Sequence, residues 1–219
     1  LPGGYPVLTF YHPEMQECPL GEAERAGAEV LRGAIAKRVT LGDAPRVDPE
    51  HEGTERTVSA RLVVGADGRS SAVRKWAGFE VKRGEQRRWF AGVLMDGLAA
   101  PEDTMYSRFA PARGLMSWIF PQGGGRARTY VGFPFASDYV RLQGERDIAR
   151  FIDTSVELGV PRAAYAQAAP AGPLATFDAT DVWVEAPYTG GVVLIGDAAA
   201  TSDPTWGQGM SLTLHDVRL

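Results

Sequence analysis

The chain has 219 residues, 44% apolar and 23% charged, which is globular composition and long enough for one large domain or two small ones around a sizeable core. Its 23 basic and 27 acidic residues give a net charge of −4 with no basic stripe, which speaks against nucleic acid as a partner. No apolar run reaches the ~18 residues of a membrane span. The N-terminus lacks a secretory signal, and Cys18 stands alone, so a reducing, cytoplasmic setting is expected. The chain starts at Leu1 rather than Met and stops inside a helical pattern, so both ends read as cut.

Residues 5–11 read as a short strand. Residues 14–34 have helical composition, but Pro19 and Gly21 predict a break, because proline costs about 3 kcal/mol inside a helix. Gly27 should stop the helix, and 28–34 should turn into a strand. The polar, turn-rich stretch 40–60 predicts a hairpin with an exposed tip. "RLVVGADG" (61–68) is a short apolar strand of the kind buried on both faces in a parallel sheet. Four strand-like runs follow, at 87–97, 104–110, 114–122 and 126–135, separated by Gly, Pro and Asp. They predict an antiparallel sheet, with Gly123 in a hairpin turn. Ile148, Phe151, Ile152 and Ser155 or Val156 fit one helical face, with Ser137 or Asp138 able to cap an earlier turn. Residues 170–191 read as a return linker with one strand, before the apolar strand at Val192.

The order is therefore parallel-type strand, antiparallel block, helix, parallel-type strand. It predicts an α/β fold with an α+β insert: a nucleotide-binding parallel layer in two pieces, residues 1–83 and 179–219, interrupted by an antiparallel sheet at 84–178. Two motifs sit on the parallel strands. In the first, Asp67-Gly68 ends a strand, Gly68 permits a sharp turn or close ligand approach, and Ser70 or Ser71 could cap a helix through Val73 and Trp76. A plain strand–turn–helix corner explains the same residues equally well. In the second, Gly196-Asp197 ends a strand where a carboxylate suits a ribose hydroxyl. Ala198, Ala199 and Ala200 leave room for something flat, Pro204 fixes the loop, and Gly207 and Gly209 permit close approach. The helix beginning near Met210 offers free amides and a positive end. An N-cap aspartate with a glycine loop is the plainer alternative. The G-x-G-x-x-G loop of a dinucleotide fold is not found: "GQGMSL" has Leu212 where the third glycine should be.

Together the motifs resemble those of the flavoprotein monooxygenases of the aromatic-hydroxylase, p-hydroxybenzoate hydroxylase-like type. The mid-chain signature of that family matches Arg61, Leu62-Val63-Val64, Gly65-Ala66, Asp67-Gly68, Ser71, Val73 and Arg74, with Ser70 at its polar-or-charged position. Its later Gly-Asp-x6-Pro signature matches Gly196-Asp197 to Pro204, followed by Gly207-Gln208-Gly209. The resemblance covers essentially the whole chain, and it implies a missing N-terminal βαβ unit and missing C-terminal helices. It implies FAD as cofactor, with Asp197 on the ribitol or pyrophosphate side and the backbone of Gly207 to Met210 under the flavin ring. Asp67, Gly68 and Arg74 would lie near the pyrophosphate. It further implies NAD(P)H as co-substrate, O2, and hydroxylation of an aromatic or similarly electron-rich small molecule. Ala200 stands where many relatives carry His, and Pro19-Gly21 interrupts a usually continuous helix.

Trp206, and with it Pro204, is expected to border the substrate pocket. Trp89, Tyr106, Trp118 and Tyr130 fit sheet packing better than pocket lining. His12, His51 and His215 have no metal-ligand spacing, and Cys18 has no base beside it. Two rivals stay open: a reductase or halogenase of the same fold, although the extra Trp and Lys motifs of halogenases are absent, and a product without chemistry. Without the glycine loop the chain should bind FAD weakly unless the missing parts, or a second copy, complete the fold.

Overall fold

The computed structural model describes residues 8–85, 88–135 and 141–218. The described residues of 1–28 and 87–178 form one compact unit, and those of 29–86 and 179–219 form another. The division thus falls at 28/29 as well as near 83/84, so residues 8–28 lie with the large sheet and not with 29–83.

The first unit is built on an antiparallel sheet whose strand order is Ala169–Pro170, Arg88–Asp96, Arg126–Pro134, Leu115–Pro121, Tyr106–Ala110, with Ala175–Asp178 also pairing with the 88–96 strand. Alternation decides its two faces. Trp89, Ala91, Val93, Met95, Val131 and Phe133 point into the main core, against Phe151 of the helix Ile148–Glu157. That helix buries Phe151 and Ser155 and packs Ile148, Ile152 and Val156 partly, as its periodicity predicts. Inside this core Ser155 Oγ lies 2.8 Å from Tyr165 Oη and 3.1 Å from Ser117 Oγ, so the buried hydroxyls satisfy one another. Desolvation raises the Tyr165 phenol above its ordinary value, although its bonds to Ser155 and Thr129 oppose this.

The opposite face is aromatic. Phe90 stacks on Trp118 at 5.3 Å and on Phe177 at 5.8 Å, and Phe109 meets Trp118 edge-on. Tyr130 lies across Gly92, where any Cβ would come within 2.4 Å of the ring. Trp89 and Tyr106 belong to the core side.

The second unit holds a meander of Ile35–Thr40, Arg46–His51, Thr54–Glu55 and Val58–Ser59. Its tip, Glu52-Gly53, is exposed and has φ of 51° and 73°, the two-residue turn that suits strand twist. The parallel element is the strand Val63–Gly65 beside Val192–Leu194, with Val63 opposite Val192 and Gly65 opposite Leu194. The helix Ala72–Trp76 packs closely on this pair, since a Cβ on Gly65 would lie 2.7 Å from Leu194 and 2.8 Å from Val73. A further sheet joins Lys82–Arg83, Val182–Trp183 and Ala200–Thr201. The helix Gly209–Arg218 ends the described chain.

Several local expectations are corrected. The helix His12–Arg25 runs through Pro19 without a break. Pro13 fits its first turn, helix-forming residues surround Pro19, and the proline removes only one internal bond. Gly27, at φ 94°, then ends it with paired bonds: the Gly27 amide to the Glu24 carbonyl and the Ala28 amide to Ala23. Residues 28–34 are turn and coil, the strand beginning only at Ile35, and residues 8–11 are not a strand. Val64 is 48% exposed, so the 63–65 strand is buried on one face only. The 170–191 stretch forms several two- to four-residue pairings, not one strand; Val182–Trp183 is the centre of its three-stranded sheet, and the others add to the edges of the sheets they join. Ser137 and Asp138 lie outside the described residues.

Candidate functional site

Both motifs leave the C-terminal ends of the paired parallel strands, where open α/β sheets place their ligands. They differ in what their side chains do there. Ser71, not Ser70, is the N-cap of the helix Ala72–Trp76, its Oγ accepting the Arg74 amide at 2.9 Å. Asp67 completes the cap. It accepts the Ser71 hydroxyl at 2.5 Å, the Ala72 amide at 2.6 Å and the Val73 amide at 3.0 Å. Burial works against its charge, but the bonds from Ser71, Val73 and Ala72 outweigh it and hold the carboxyl below its ordinary value. Gly68 has φ 76° and nothing within 4 Å of where a Cβ would sit, so its face is open. Arg74 is only 7% exposed. Its guanidinium donates to the Ala198 carbonyl at 3.0 Å and to the Arg69 carbonyl at 2.7 Å. Arg69 in turn donates to the Thr180 carbonyl at 3.0 Å.

The second corner is a 3-10 turn, Gly196–Ala198. Gly196 needs to be glycine twice over: φ is 55°, and a Cβ would lie 2.7 Å from Thr213 Oγ1. Its amide donates to Asp216 Oδ2 at 2.9 Å, which fixes the helix Gly209–Arg218 against the turn. Ala198 and Ala199 are buried in the core with Val73, Ala77 and Val192, so they are packing residues and not space left for a ligand. The turn directs their methyl groups inward, leaving Asp197 and Ala200 exposed. Among the described residues no donor pairs with the Asp197 carboxylate. Oδ1 sits 4.0 Å from the Cβ position of Gly209, at the start of the terminal helix.

Pro204 is held in a short turn by Asp203, whose carboxylate accepts the Thr205 amide at 2.8 Å and the Thr205 hydroxyl. The Asp203 amide donates to Asp181 at 2.7 Å. Pro204 is exposed, and Trp206 is 76% exposed. Gly207 has open space at its Cβ position. The first intrahelical bond runs from the Leu212 amide to the Gln208 carbonyl at 3.0 Å, so the amides of Gly209, Met210 and Ser211 are left without helical partners. An exposed carboxylate for hydroxyls, unpaired amides at a positive helix end, and a glycine floor with room above it are a donor set that fits a flavin.

Sequence reasoning missed Asp216, Thr213, Asp181 and Arg69. Asp203 before Pro204 carried a turn signal that could have been read. Asp216 is twenty residues from Gly196, and no local spacing announces it. Among the described residues no cluster of His, Cys, Asp or Glu could hold a metal. No helix among them is long and apolar enough to cross a membrane.

The family model of an FAD binding domain matches residues 8–219, and the chain belongs to that family. A digeranylgeranylglycerophospholipid reductase of Methanopyrus kandleri is 31% identical over 205 residues, covering 88% of this chain and 49% of that protein. CabE, an aromatic hydroxylase from angucycline biosynthesis, superposes with a TM-score of 0.71 at 28% identity over 93% of this chain and 40% of its own. Aklavinone-11 hydroxylase, solved with FAD and aklavinone, shares the fold with a TM-score of 0.77 at 19% identity, over 94% of this chain and 39% of its own. The chain spans about half the length, or less, of the curated relatives it matches. The fold is thus the α/β FAD-binding fold of flavoprotein oxidoreductases, aromatic hydroxylases among them.

Proposed function

We propose that the whole protein is an FAD-dependent monooxygenase, which hydroxylates an aromatic or similarly electron-rich small molecule with NAD(P)H and O2. The described residues of 29–86 and 179–219 supply the ring-side part of the flavin site. One observation carries the reading: the unpartnered Asp197 carboxylate stands beside the free amides that open the terminal helix. Bound there, FAD supplies electron transfer and oxygen activation. Asp197 accepts hydroxyls of the ribityl or ribose portion. The amides of Gly209, Met210 and Ser211, with the helix end, stabilise negative charge on the ring. Gly207, Gln208 and Gly68 let the backbone approach closely, while Pro204 and Trp206 border the pocket. The aromatic sheet face around Tyr130 and Phe177 suits an apolar, flat substrate.

The full-length protein tests this reading. After FAD loading and gel filtration it should be yellow, bleach with NAD(P)H, and consume O2 when an electron-rich aromatic is added. Colourless protein, with the same melting temperature with and without FAD, sinks the reading. A reductase is the second reading, favoured by the 31% identical Methanopyrus protein. It predicts bleaching and reduction of an alkene with no O2 taken up.

A further inference from the structure

Arg74 belongs to the motif that resemblance places near the pyrophosphate, yet its surroundings point inward. It is 7% exposed, and its two terminal nitrogens end on main-chain carbonyls, those of Ala198 and Arg69. A buried guanidinium is costly unless it is hydrogen-bonded, and Arg74 makes two charge-assisted bonds, one from each terminal nitrogen, to two separate carbonyls. One reaches 124 residues along the chain, to the last residue of the 3-10 turn that carries Asp197. The Ile195 amide also donates to the Gly65 carbonyl at 3.1 Å at the base of the two corners, but that bond continues the strand pairing, whereas Arg74 grips the turn itself. Asp67 and Ser71 fix the helix from which Arg74 projects, and the turn is held from its other side by the Gly196–Asp216 bond.

We propose that Arg74 is a positioning residue: through the Ala198 carbonyl it locks the Gly196–Ala198 turn, so that the Asp197 carboxylate points away from the core. The role rests on the flavin reading only in what Asp197 then binds; the lock belongs to the unliganded chain. It makes Arg74 an internal tie and not a ligand for phosphate. Its alkyl stem alone cannot do this, and lysine, with one point charge, reaches one carbonyl where arginine reaches two.

Amide hydrogen exchange on the chain without flavin, compared among wild type, Arg74→Lys and Arg74→Met, tests the lock. The reporter is the Ala199 amide, bonded to the Gly196 carbonyl at 2.9 Å within the turn. Arg74→Met keeps the stem and should speed exchange there by roughly ten- to a hundred-fold, the factor of one charged hydrogen bond. Arg74→Lys should fall between. Val93 and Val131, in the other unit, should not change. Unchanged exchange at Ala199, or equal acceleration everywhere, overturns the proposal. In the full-length protein loaded with FAD, Arg74→Met should weaken flavin affinity in the wild-type background and do nothing further once Asp197→Asn is present. Additive losses would mean direct contact between Arg74 and the ligand, and would overturn it too. Should no variant, wild type included, bind FAD, the flavin reading fails and the exchange result alone decides the lock.

Discussion

Asp67 and Asp197 leave the ends of two neighbouring parallel strands, yet their carboxylates are used in opposite ways. Asp67 is consumed by three donors of its own corner and holds a five-residue helix in place. Asp197 is exposed on a turn whose neighbours Gly196 and Ala198 do the packing. Their glycines differ in the same sense: Gly68 looks onto open space, whereas Gly196 is pressed against Thr213. One corner is therefore scaffold with an open floor, and the other is a presenting turn on a closed floor. An acidic residue after a strand is not by itself a ligand group; the donors around it decide.

The largest effect is expected at the closed floor. Gly196→Val forces a Cβ against Thr213 at a positive φ. It should lower stability by about 3 kcal/mol or more, strain and overpacking together. Gly68→Ala meets only the backbone term, about 1–2 kcal/mol. Urea denaturation of both variants measures the difference, and equal losses would erase the contrast between the two floors.

Next come the aspartates. Asp67→Ala removes a helix cap and should cost about 1–2 kcal/mol. Asp197→Ala should stay within roughly 0.5 kcal/mol of wild type. A large loss at Asp197 would make it structural as well.

Acid should remove the advantage of Asp67. Because folding lowers the Asp67 carboxyl, its contribution is complete above the unfolded value of about 3.9 and disappears as pH falls through the lower folded value. The stability gap between wild type and Asp67→Asn should therefore shrink below about pH 4. A gap that widens on acidification contradicts the cap.

The smallest effect on stability, and the largest on ligand, belongs to Asp197→Asn. Flavin affinity of the full-length protein should fall roughly ten- to a hundred-fold, as for loss of a charged hydrogen bond, with no change in melting temperature of the flavin-free form.

Much of this was legible in the residues. Period-two runs gave the sheet at 88–134, and Phe151 with Ser155 gave the helix face. Asp67, Ser71 and Gly196-Asp197 were found because strand ends followed by small residues and caps have local signatures. What was not legible was long-range. Whether Asp67 faces its own helix or a ligand depends on angles of a fraction of a turn. Arg74 meets Ala198 only after the parallel strands pair. The inward turn of Ala198 and Ala199 is likewise set by the core, since alanine fits a pocket wall and a tight interior equally well. Pro19 was misread because a rule about one lost hydrogen bond was applied to a whole segment.

The central claim is that Asp197 and the start of the terminal helix face a flavin while the Asp67 side chain does not. The most direct measurement is an amide NMR titration of this chain with FAD in excess, which detects weak binding. The account predicts shifts concentrated at Gly196, Asp197 and Gly207 to Ser211, with the amides of Ala72 and Val73, capped by Asp67, little moved. Shifts centred on Ala72 and Val73, or none at Asp197 and the helix start, would contradict it.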